Sequence, residues 1–263
     1  MVTTFKSNRL SAVSSIIRVL ENEIAQKVEV TSGFKFVVAD NLFHRLNAYR
    51  LGYNKYLKKG YIEENQYQAL INELDLDEET LTIVAYHGTK EVGTITVNTQ
   101  SNLPFEEIFD CEASKDSNFK GAELTRLAID ENYRNNKEIL LGMFNLVFAY
   151  SRFIKNCSHL VIEVNPRHVK FYERILGFMP VAENVSCPRV RGAPAVLLMG
   201  DLRLPMIYPE NYTFLVKDDA RENLINELGN IKPLMKREVE ILKRMYHQIN
   251  FKNSMIQTQI ANY

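Results

Sequence analysis

Glu123-Leu-Thr-Arg-Leu-Ala-Ile-Asp130 is the stretch that decides the fold of this chain of 263 residues. Its mostly apolar residues predict a buried strand, although two charged side chains lie in its interior. The apolar segment 138–155 follows and predicts a helix, and residues 160–164 predict a second strand. Residues 165–178 predict a short helix that ends at a glycine. The four segments form one strand–helix–strand–helix unit.

The composition predicts a packed globular protein, because 46% of the residues are hydrophobic and 24% are charged. Basic and acidic residues number 32 each, so no net charge favours binding to nucleic acid or to an anionic membrane. Cys111, Cys157 and Cys187 are not closely spaced, which predicts reduced thiols rather than disulfides or a zinc site. With no signal-peptide pattern and no run long enough to span a bilayer, we expect a cytoplasmic protein without a transmembrane segment.

The segments outside the central unit predict further strands and helices. Expected strands cover residues 34–39, 81–87, 92–97, 178–183 and 195–202, and expected helices cover residues 9–27, a segment capped by Asp40 and closed by Gly60, and residues 63–74. A tight turn at Gly88 joins the second and third of these strands into an antiparallel hairpin. Residues 99–122 are expected to be mostly irregular. This order predicts an α/β protein.

The pattern of polar and apolar residues changes near both ends of the chain, which predicts a division into three structural regions. We expect an N-terminal helix in residues 1–33, a main domain in residues 34–204, and a helical extension in residues 205–263. Apolar residues at helical spacing within 218–260 predict that this extension packs on the main domain or on a second chain, so a homo-oligomer is a hypothesis.

Two motifs within the central unit resemble known acyltransferases. Asn165, Tyr172 and Gly177-Phe178 have the spacing of the helix after the fifth strand in GNAT-type N-acyltransferases. Glu123-x-Thr-Arg126 resembles a strand of the N-acyl amino acid synthases (FeeM-like) and of the acyl-homoserine lactone synthases. Segments 46–62 and 192–202 also resemble the N-acyl amino acid synthases, so the chain is identified as a member of that family.

This resemblance implies a GNAT-like mixed, mostly antiparallel sheet flanked by helices, with the C-terminal helices as an appendage. It also implies transfer of a long acyl chain from an acyl-carrier-protein thioester to the amine of an amino acid. The implied partners are acyl carrier protein and the amino acid, and acyl-phosphopantetheine is a co-substrate rather than a permanently bound cofactor. No metal is implied.

The resemblance assigns catalytic roles to Glu123, which would handle the amine, and Tyr172, which would protonate the departing thiolate. Alternatively, Tyr172 is an aromatic core residue, and Glu123 forms a structural ion pair with Arg126. Strand alternation places Glu123 and Arg126 on opposite faces unless a bulge intervenes. Because an unpaired buried charge is costly, we expect Arg126 to meet Glu163 or Asp130.

The remaining site residues are expected in two groups. Substrate and acyl-chain contacts are assigned to Thr125, Arg126, Leu127, Ile129, Phe144 and Asn165, and acyl-tunnel positions, for which core packing is the alternative, to Phe105, Phe109, Phe119, Phe144 and Val147. Phosphopantetheine or carrier-protein contacts are assigned to Arg134, Asn135, Lys137 and His168. A basic surface for an acidic carrier protein is expected from Lys55, Lys58, Lys59, Arg134, Lys137, Arg167, Lys170 and Arg174.

One departure from the GNAT pattern bears on the acyl donor. In enzymes of this superfamily that use coenzyme A, glycines open the turn that binds pyrophosphate at a helix N-terminus. This chain has Asn136-Lys-Glu138 at that place, which favours a carrier with a single phosphodiester. A coenzyme A-dependent GNAT enzyme, an acyl-homoserine lactone synthase-like enzyme and a non-catalytic acyl-carrier or lipid-binding module remain alternatives.

Overall fold

The structure, a computed structural model, describes residues 33–203 and 218–261. The expected N-terminal helix lies outside the described residues. The strands are β1 (Phe34–Val38), β2 (Thr80–His87), β3 (Lys90–Asn98), β4 (Gly121–Ile129), β5 (His159–Val164), β6 (Met179–Pro180), β7 (Val185–Cys187) and β8 (Ala193–Asp201). The α-helices are α1 (Leu42–Lys58), α2 (Lys137–Ala149), α3 (Val169–Leu176), α4 (Asp218–Gly229) and α5 (Lys236–Ala261).

The strands form a mixed sheet in the order β1-β2-β3-β4-β5-β8-β6, and β7 pairs with β8 beside this path. The β4–β5 pair is parallel, and the other recorded pairs are antiparallel. Helix α2 connects the two parallel strands, as a parallel connection requires. This arrangement confirms the expected α/β class with a mostly antiparallel sheet flanked by helices.

Strands β4 and β5 pair along only part of their length. Their register runs from Gly121 opposite His159 to Leu124 opposite Ile162. Strand β4 continues to Ile129, five residues beyond its last partner in β5. The two strands therefore part at the carboxyl end of β5, and the sheet opens there.

A β-bulge in β4 lies just beyond the point where the strands part. Thr94 and Thr96 of β3 pair with Ala128 and Thr125, so β4 has one residue more than β3 in this interval. Arg126 lies within the bulge and has a φ of +53°, which is uncommon for a residue other than glycine. Simple alternation along β4 consequently ends at this point.

The two faces of the sheet are covered by different helices. Helix α2 packs one face, and its side chains Ile139, Met143, Phe144 and Val147 are completely buried. Helix α1 lies on the other face against β2 and β3. Its N-cap is Asn41, whose side chain accepts a hydrogen bond from the His44 N–H, so the expected cap at Asp40 was wrong by one residue.

The helix expected in residues 63–74 is absent, and the only regular element there is a short 3₁₀ turn, Glu73–Leu76. The Asn65 side chain accepts hydrogen bonds from the N–H groups of Tyr67 and Ala69. The Leu70 N–H donates to the carbonyl of Tyr49 in α1 instead of to a helical partner. These local bonds compete with helix formation, as asparagine side chains often do.

The last strands also differ from the expected ones. Within residues 178–183 only Met179–Pro180 is paired, and β7 supplies an additional short strand that the sequence pattern did not predict. Pro180 limits the pairing because proline has no N–H to donate to a neighbouring strand. The last strand, β8, agrees closely with its expected range.

The C-terminal helices pack on the main domain. Leu242, Met245 and Ile249 of α5 are buried in one cluster with residues of α1 and β2. The carboxylate of Glu238 accepts a hydrogen bond of 2.8 Å from the N–H of Leu42 and so caps α1 from a distant part of the chain. Within the described ranges, none of the helices combines the length and the apolar character needed to cross a bilayer.

Candidate active site

Glu123 lies in β4 just before the strands part, and its side chain is almost completely buried, with 1% of its surface exposed. Its Oε2 atom accepts a hydrogen bond of 2.9 Å from the N–H of Phe105. Burial raises the pKa of Glu123 to about 8, and the nearby carboxylate of Glu163 adds to this rise. The carboxyl group can therefore both hold and release a proton near neutral pH.

Arg126 points to the same face of the sheet as Glu123, because the bulge reverses the alternation after Thr125. Its guanidinium group pairs with Asp75, and its Nη1 atom donates to the carbonyl of Leu70 at 3.4 Å. The Tyr49 ring lies 5.4 Å from the guanidinium carbon. The Nε atom of Arg126 is buried and has no hydrogen-bond partner among the described residues.

The expected partners of Arg126 were therefore wrong. Asp130 pairs instead with Lys90 at 2.9 Å, and Glu163 pairs with Arg189. The expectation failed because Asp75 reaches the bulge from the 3₁₀ turn Glu73–Leu76, just after the segment in which a helix was predicted.

Glu163 lies on β5, one residue beyond the last β4–β5 pair, and its side chain is 14% exposed. It forms an ion pair with Arg189, which belongs to the turn between β7 and β8. The Cys187 Sγ atom lies 3.7 Å from the same carboxylate. Burial raises the pKa of Glu163, while Arg189 opposes that rise. The two strands that part thus present two acidic side chains close together.

Tyr172 lies on α3, and only 8% of its surface is exposed. Its ring packs against Phe144 and Phe178, with ring centroids 6.4 Å and 6.3 Å away. Burial raises the pKa of the phenol, and Tyr56 contributes to the same shift. Tyr172 is therefore held in its protonated form, with its ring in the core on the α2 side of the sheet.

Tyr56 of α1 interacts electrostatically with Tyr172 and also with Arg126 and Glu163. The sequence analysis did not identify it as a site residue. Burial raises the pKa of Tyr56, Arg126 opposes the rise, and Glu163 adds to it. Tyr56 in turn raises the pKa of Tyr172. The ring of Tyr172 lies in the α2 cluster, whereas Tyr56 belongs to α1, which packs on the other face of the sheet.

The other residues expected to contact substrate take several different positions. The hydroxyl of Thr125 accepts a 3.5 Å hydrogen bond from Asn98. Leu127 and Ile129 are partly buried against the α2 cluster. Asn165 caps the 3₁₀ turn that leads into α3, although its bond to Arg167 is long at 3.4 Å. Phe105 and Phe109 are buried in a separate cluster with residues of β5 and β8, and Phe119 packs against that cluster. Phe144 and Val147 lie in the α2 cluster.

The start of α2 carries the first group of expected phosphopantetheine contacts. Arg134, Asn135 and Lys137 are exposed there. The Asn136 side chain accepts a hydrogen bond of 2.8 Å from the N–H of Glu138 and caps the helix. One of the N–H groups that would bind a pyrophosphate is thus already satisfied by the chain itself.

The C-terminal end of α1 lies near two places where phosphopantetheine or carrier contacts were expected: the start of α2 and His168. Lys55 and Lys58 lie 3.9 Å and 2.7 Å from Glu131, beside the start of α2. Lys59 and Arg167 act on His168, whose pKa is lowered first by burial and then by these two cations. We call this surface the basic rim; it consists of Lys55, Lys58, Lys59, Arg134, Arg167 and His168.

Asp75, Tyr56 and Arg189 are the site residues that sequence reasoning missed. Asp75 was expected beyond a helix, and Tyr56 was one of many aromatic residues in α1. Arg189 lies in the loop Pro188-Arg-Val-Arg-Gly192, and two arginines in a turn so rich in proline and glycine were the only available signal. Within residues 33–203 and 218–261, no group of His, Cys, Asp or Glu side chains is arranged to hold a metal ion.

Solved structures of related folds match most of the described chain. FeeM, an N-acyl amino acid synthase from uncultured soil microbes, aligns with a TM-score of 0.56 at 22% identity over 65% of this chain and 92% of FeeM. TofI, solved in a ternary complex with an inhibitor and MTA, has a TM-score of 0.51 at 13% identity over 64% of this chain and 91% of TofI. BjaI, a CoA-dependent acyl-homoserine lactone synthase solved with SAM and isopentyl-CoA, has a TM-score of 0.50 at 14% identity over 80% of this chain and 98% of BjaI.

The fold, with its parted β4 and β5 strands, is the GNAT-like fold that the sequence predicted. The family model described as N-acyl amino acid synthase FeeM matches residues 47–201, which is more than half of the chain, and this protein belongs to that family. It is accordingly an N-acyltransferase. Among curated proteins, no sequence matches the chain.

Proposed function

We propose that this enzyme transfers a long acyl chain from the phosphopantetheine thioester of a carrier protein to the amine of a free amino acid. The observation that carries the proposal is the parting of β4 and β5 beside the buried carboxyl group of Glu123. In this proposal Glu163 and Tyr172 complete the site, and the pantetheine arm lies in this opening and brings its thioester to these groups. Family membership supports the acyl transfer itself.

Glu123 is the proposed general base. An amine acceptor is mostly protonated at neutral pH, so a proton must leave before nitrogen can attack the thioester carbonyl. Because Glu123 is almost fully buried, a water molecule relays this proton to its carboxylate. With a pKa of about 8, only a fraction of the Glu123 carboxyl groups is ionised at neutral pH, and that fraction accepts the proton.

The attack forms a tetrahedral oxyanion, and the bulge at Arg126 is the proposed place of its stabilisation. A bulge leaves backbone groups of the extra residue without ladder partners, and such N–H groups can donate to an oxyanion. Collapse of the intermediate forms the amide and breaks the C–S bond. Tyr172 then donates its proton to the departing thiolate. The nitrogen loses two protons in all: the one that Glu123 accepts before the attack passes on to bulk water, and the one that leaves nitrogen after the attack reprotonates Tyr172 through solvent.

The start of α2 favours a carrier protein over coenzyme A as the donor. The cap by Asn136 occupies a helix N-terminus that would otherwise be available to a pyrophosphate. The exposed basic rim beside it complements an acidic carrier protein, although Glu131 neutralises part of its charge. In this proposal Arg134, Asn135, Lys137 and His168 contact the phosphodiester or the carrier.

The test supplies the purified enzyme with a mixture of amino acids and one long-chain donor: acyl carrier protein, coenzyme A or pantetheine. Mass spectrometry of the lipid extract detects N-acyl amino acids. We expect product with the carrier-protein donor at a kcat/KM well above that of the other two donors. No product from any donor would contradict the proposed function, and preference for coenzyme A would contradict the proposed donor.

The role of the basic rim is tested with charge reversals in the same assay. Lys59→Glu combined with Arg167→Glu should raise KM for the acyl carrier protein about tenfold and leave rates with acyl-pantetheine unchanged. Lys236→Glu is the matched control, because Lys236 adjoins Glu238, which caps the opposite end of α1. Equal effects of the double variant and the control would exclude the rim as the docking surface.

A further inference from the structure

One peptide group connects Arg189 with Glu123. The carbonyl of Pro104 accepts a hydrogen bond of 2.8 Å from Nη1 of Arg189. The N–H of Phe105, which belongs to the same peptide group, donates a hydrogen bond of 2.9 Å to Oε2 of Glu123. A guanidinium group therefore lies at the oxygen end of this peptide, and a carboxyl group lies at its nitrogen end.

The same guanidinium group contacts the second acid of the site. Nη2 of Arg189 pairs with Glu163, which lies on β5 next to the strand that carries Glu123. Nη1 also lies 3.5 Å from Oε2 of Glu107, whose side chain is 77% exposed. Arg189 itself is 35% exposed, so its contact with Glu163 is the more shielded of the two ion pairs.

We propose that Arg189 is a positioning residue for Glu123, which it controls through the Pro104–Phe105 peptide while it neutralises Glu163. The proposal rests on the role of Glu123 in the proposed function. The hydrogen bond from Arg189 fixes the orientation of the peptide, so the Phe105 N–H stays directed at the carboxylate. It also polarises the peptide, because hydrogen bonds in a chain strengthen one another in a site of low dielectric constant.

The charged groups that face Glu123 act in opposite directions. Burial has the largest effect and raises its pKa, and Glu163 from β5 and Glu106 from the 3₁₀ turn at Pro104–Glu107 raise it further. The Phe105 N–H and Arg189 lower it. Loss of Arg189 removes the cation and releases the peptide that carries the donor, so both effects shift the carboxyl group toward its protonated form.

The test must separate Glu123 from Glu163, because the two carboxyl groups also influence each other. It therefore uses Glu163→Gln as the background and compares this single variant with the double variant Glu163→Gln/Arg189→Gln. The titration of Glu123 is followed by NMR of the side-chain carbonyl carbon in protein labelled with ¹³C-glutamate. The Glu123→Gln variant assigns the signal.

We expect the midpoint of Glu123 to lie about one pH unit higher in the double variant than in Glu163→Gln alone. Glu163→Gln/Arg191→Gln is the matched control, since Arg191 lies in the same turn but pairs with Glu63 at 3.5 Å. Its midpoint should equal that of the single variant. Equal midpoints in all three proteins would overturn the proposal.

Arg189→Lys in the same background covers the case in which the double variant does not fold. Lysine keeps the charge but loses the fork that contacts both the Pro104 carbonyl and a carboxylate, so its upward shift should be smaller but measurable. An unchanged midpoint in this variant would also overturn the proposal. Because the NMR titration needs no turnover, an inactive enzyme would contradict the proposed function and leave this result interpretable.

Discussion

At the scale of single residues, the two charged side chains within β4 are accommodated in different ways. Arg126 stays charged because Asp75 pairs with it in the interior, where an unpaired charge would be very costly. Glu123 has no such partner and is instead shifted toward its neutral form by burial. One strand thus carries a fixed charge at Arg126 and a titratable acid at Glu123, three positions apart along the chain.

The pH dependence of the reaction follows from the raised pKa of Glu123. The carboxyl group accepts a proton only in its ionised form, which is half populated near pH 8, so kcat/KM should rise with pH, with a midpoint near pH 8, and level off about one pH unit above it. Glu123→Gln should lower kcat/KM about 100-fold and remove this limb of the profile. An identical profile in the variant, recorded under the same conditions, would contradict the role of Glu123.

The same group affects stability with a definite sign. The pKa of Glu123 is about 8 in the folded protein and 4.5 in its unperturbed state. The folded state thus binds the proton more tightly, and the free energy of unfolding should fall as pH rises from about 4.5 to about 8. Urea unfolding at several pH values checks this, and Glu123→Gln should show a weaker decrease over the same range.

The loss of kcat on replacing Tyr172 should depend on how readily the thiol of the acyl donor leaves without being protonated. In Tyr172→Phe, kcat with an alkyl thioester should fall about 100-fold because the thiolate leaves unprotonated. A phenyl thioester has a more acidic thiol, so kcat with that donor should change by no more than about twofold. Equal losses with both donors would indicate that Tyr172 serves packing rather than proton transfer.

At the scale of elements, the helix ends and the strand opening determine where the site residues lie. Helix α3 ends at Gly177, which has a φ of +69° in the left-handed region. This turn brings Phe178 back against Tyr172 and the core. The orientation of the proposed acid therefore depends on a backbone conformation that favours glycine.

Two glycine replacements should shift stability in opposite directions. Gly177→Ala should lower the free energy of unfolding by about 1 kcal/mol, because alanine is strained at positive φ. Gly52 lies inside α1, and an added Cβ would make ordinary contact with Leu70 at 3.5 Å. Gly52→Ala should therefore raise the free energy of unfolding by about 0.5–1 kcal/mol. Urea denaturation of both variants measures the difference, and a shared sign would contradict this account.

At the scale of the whole molecule, the C-terminal extension supports the side of the domain that carries α1. Helix α5 buries apolar side chains against α1 and β2, and its Glu238 caps α1. Tyr67 and Gln66, in the segment that leads to Asp75, both contact Gln248 of α5. The extension thus braces the segment that supplies the partner of Arg126. The expected boundary between the main domain and the C-terminal extension, after residue 204, stays a prediction.

Removal of an apolar side chain from this contact should destabilise the whole domain. Leu242 is completely buried, so Leu242→Ala should lower the free energy of unfolding by about 2–5 kcal/mol. Met235, near the start of α5, is 67% exposed, so Met235→Ala should change the free energy of unfolding by less than about 0.5 kcal/mol. If Leu242→Ala left the unfolding transition unchanged, α5 would not belong to the cooperative unit.

The sequence by itself determined the order of most elements, the acyltransferase family and the strand that carries Glu123. These features depend on local patterns: β-branched runs, a glycine at a helix end, and the spacing from Asn165 to Tyr172. Such patterns act over a few residues and are therefore visible in the chain alone.

Only the tertiary structure decided the partners of the charged residues. The bulge reversed the face of Arg126, and Asp75 reached it from 51 positions away along the chain. Arg189 meets Glu163 and the Pro104 carbonyl, although these residues come from three separate segments. Electrostatic pairing depends on distance in space, and sequence spacing carries no information about that distance once the sheet brings remote segments together.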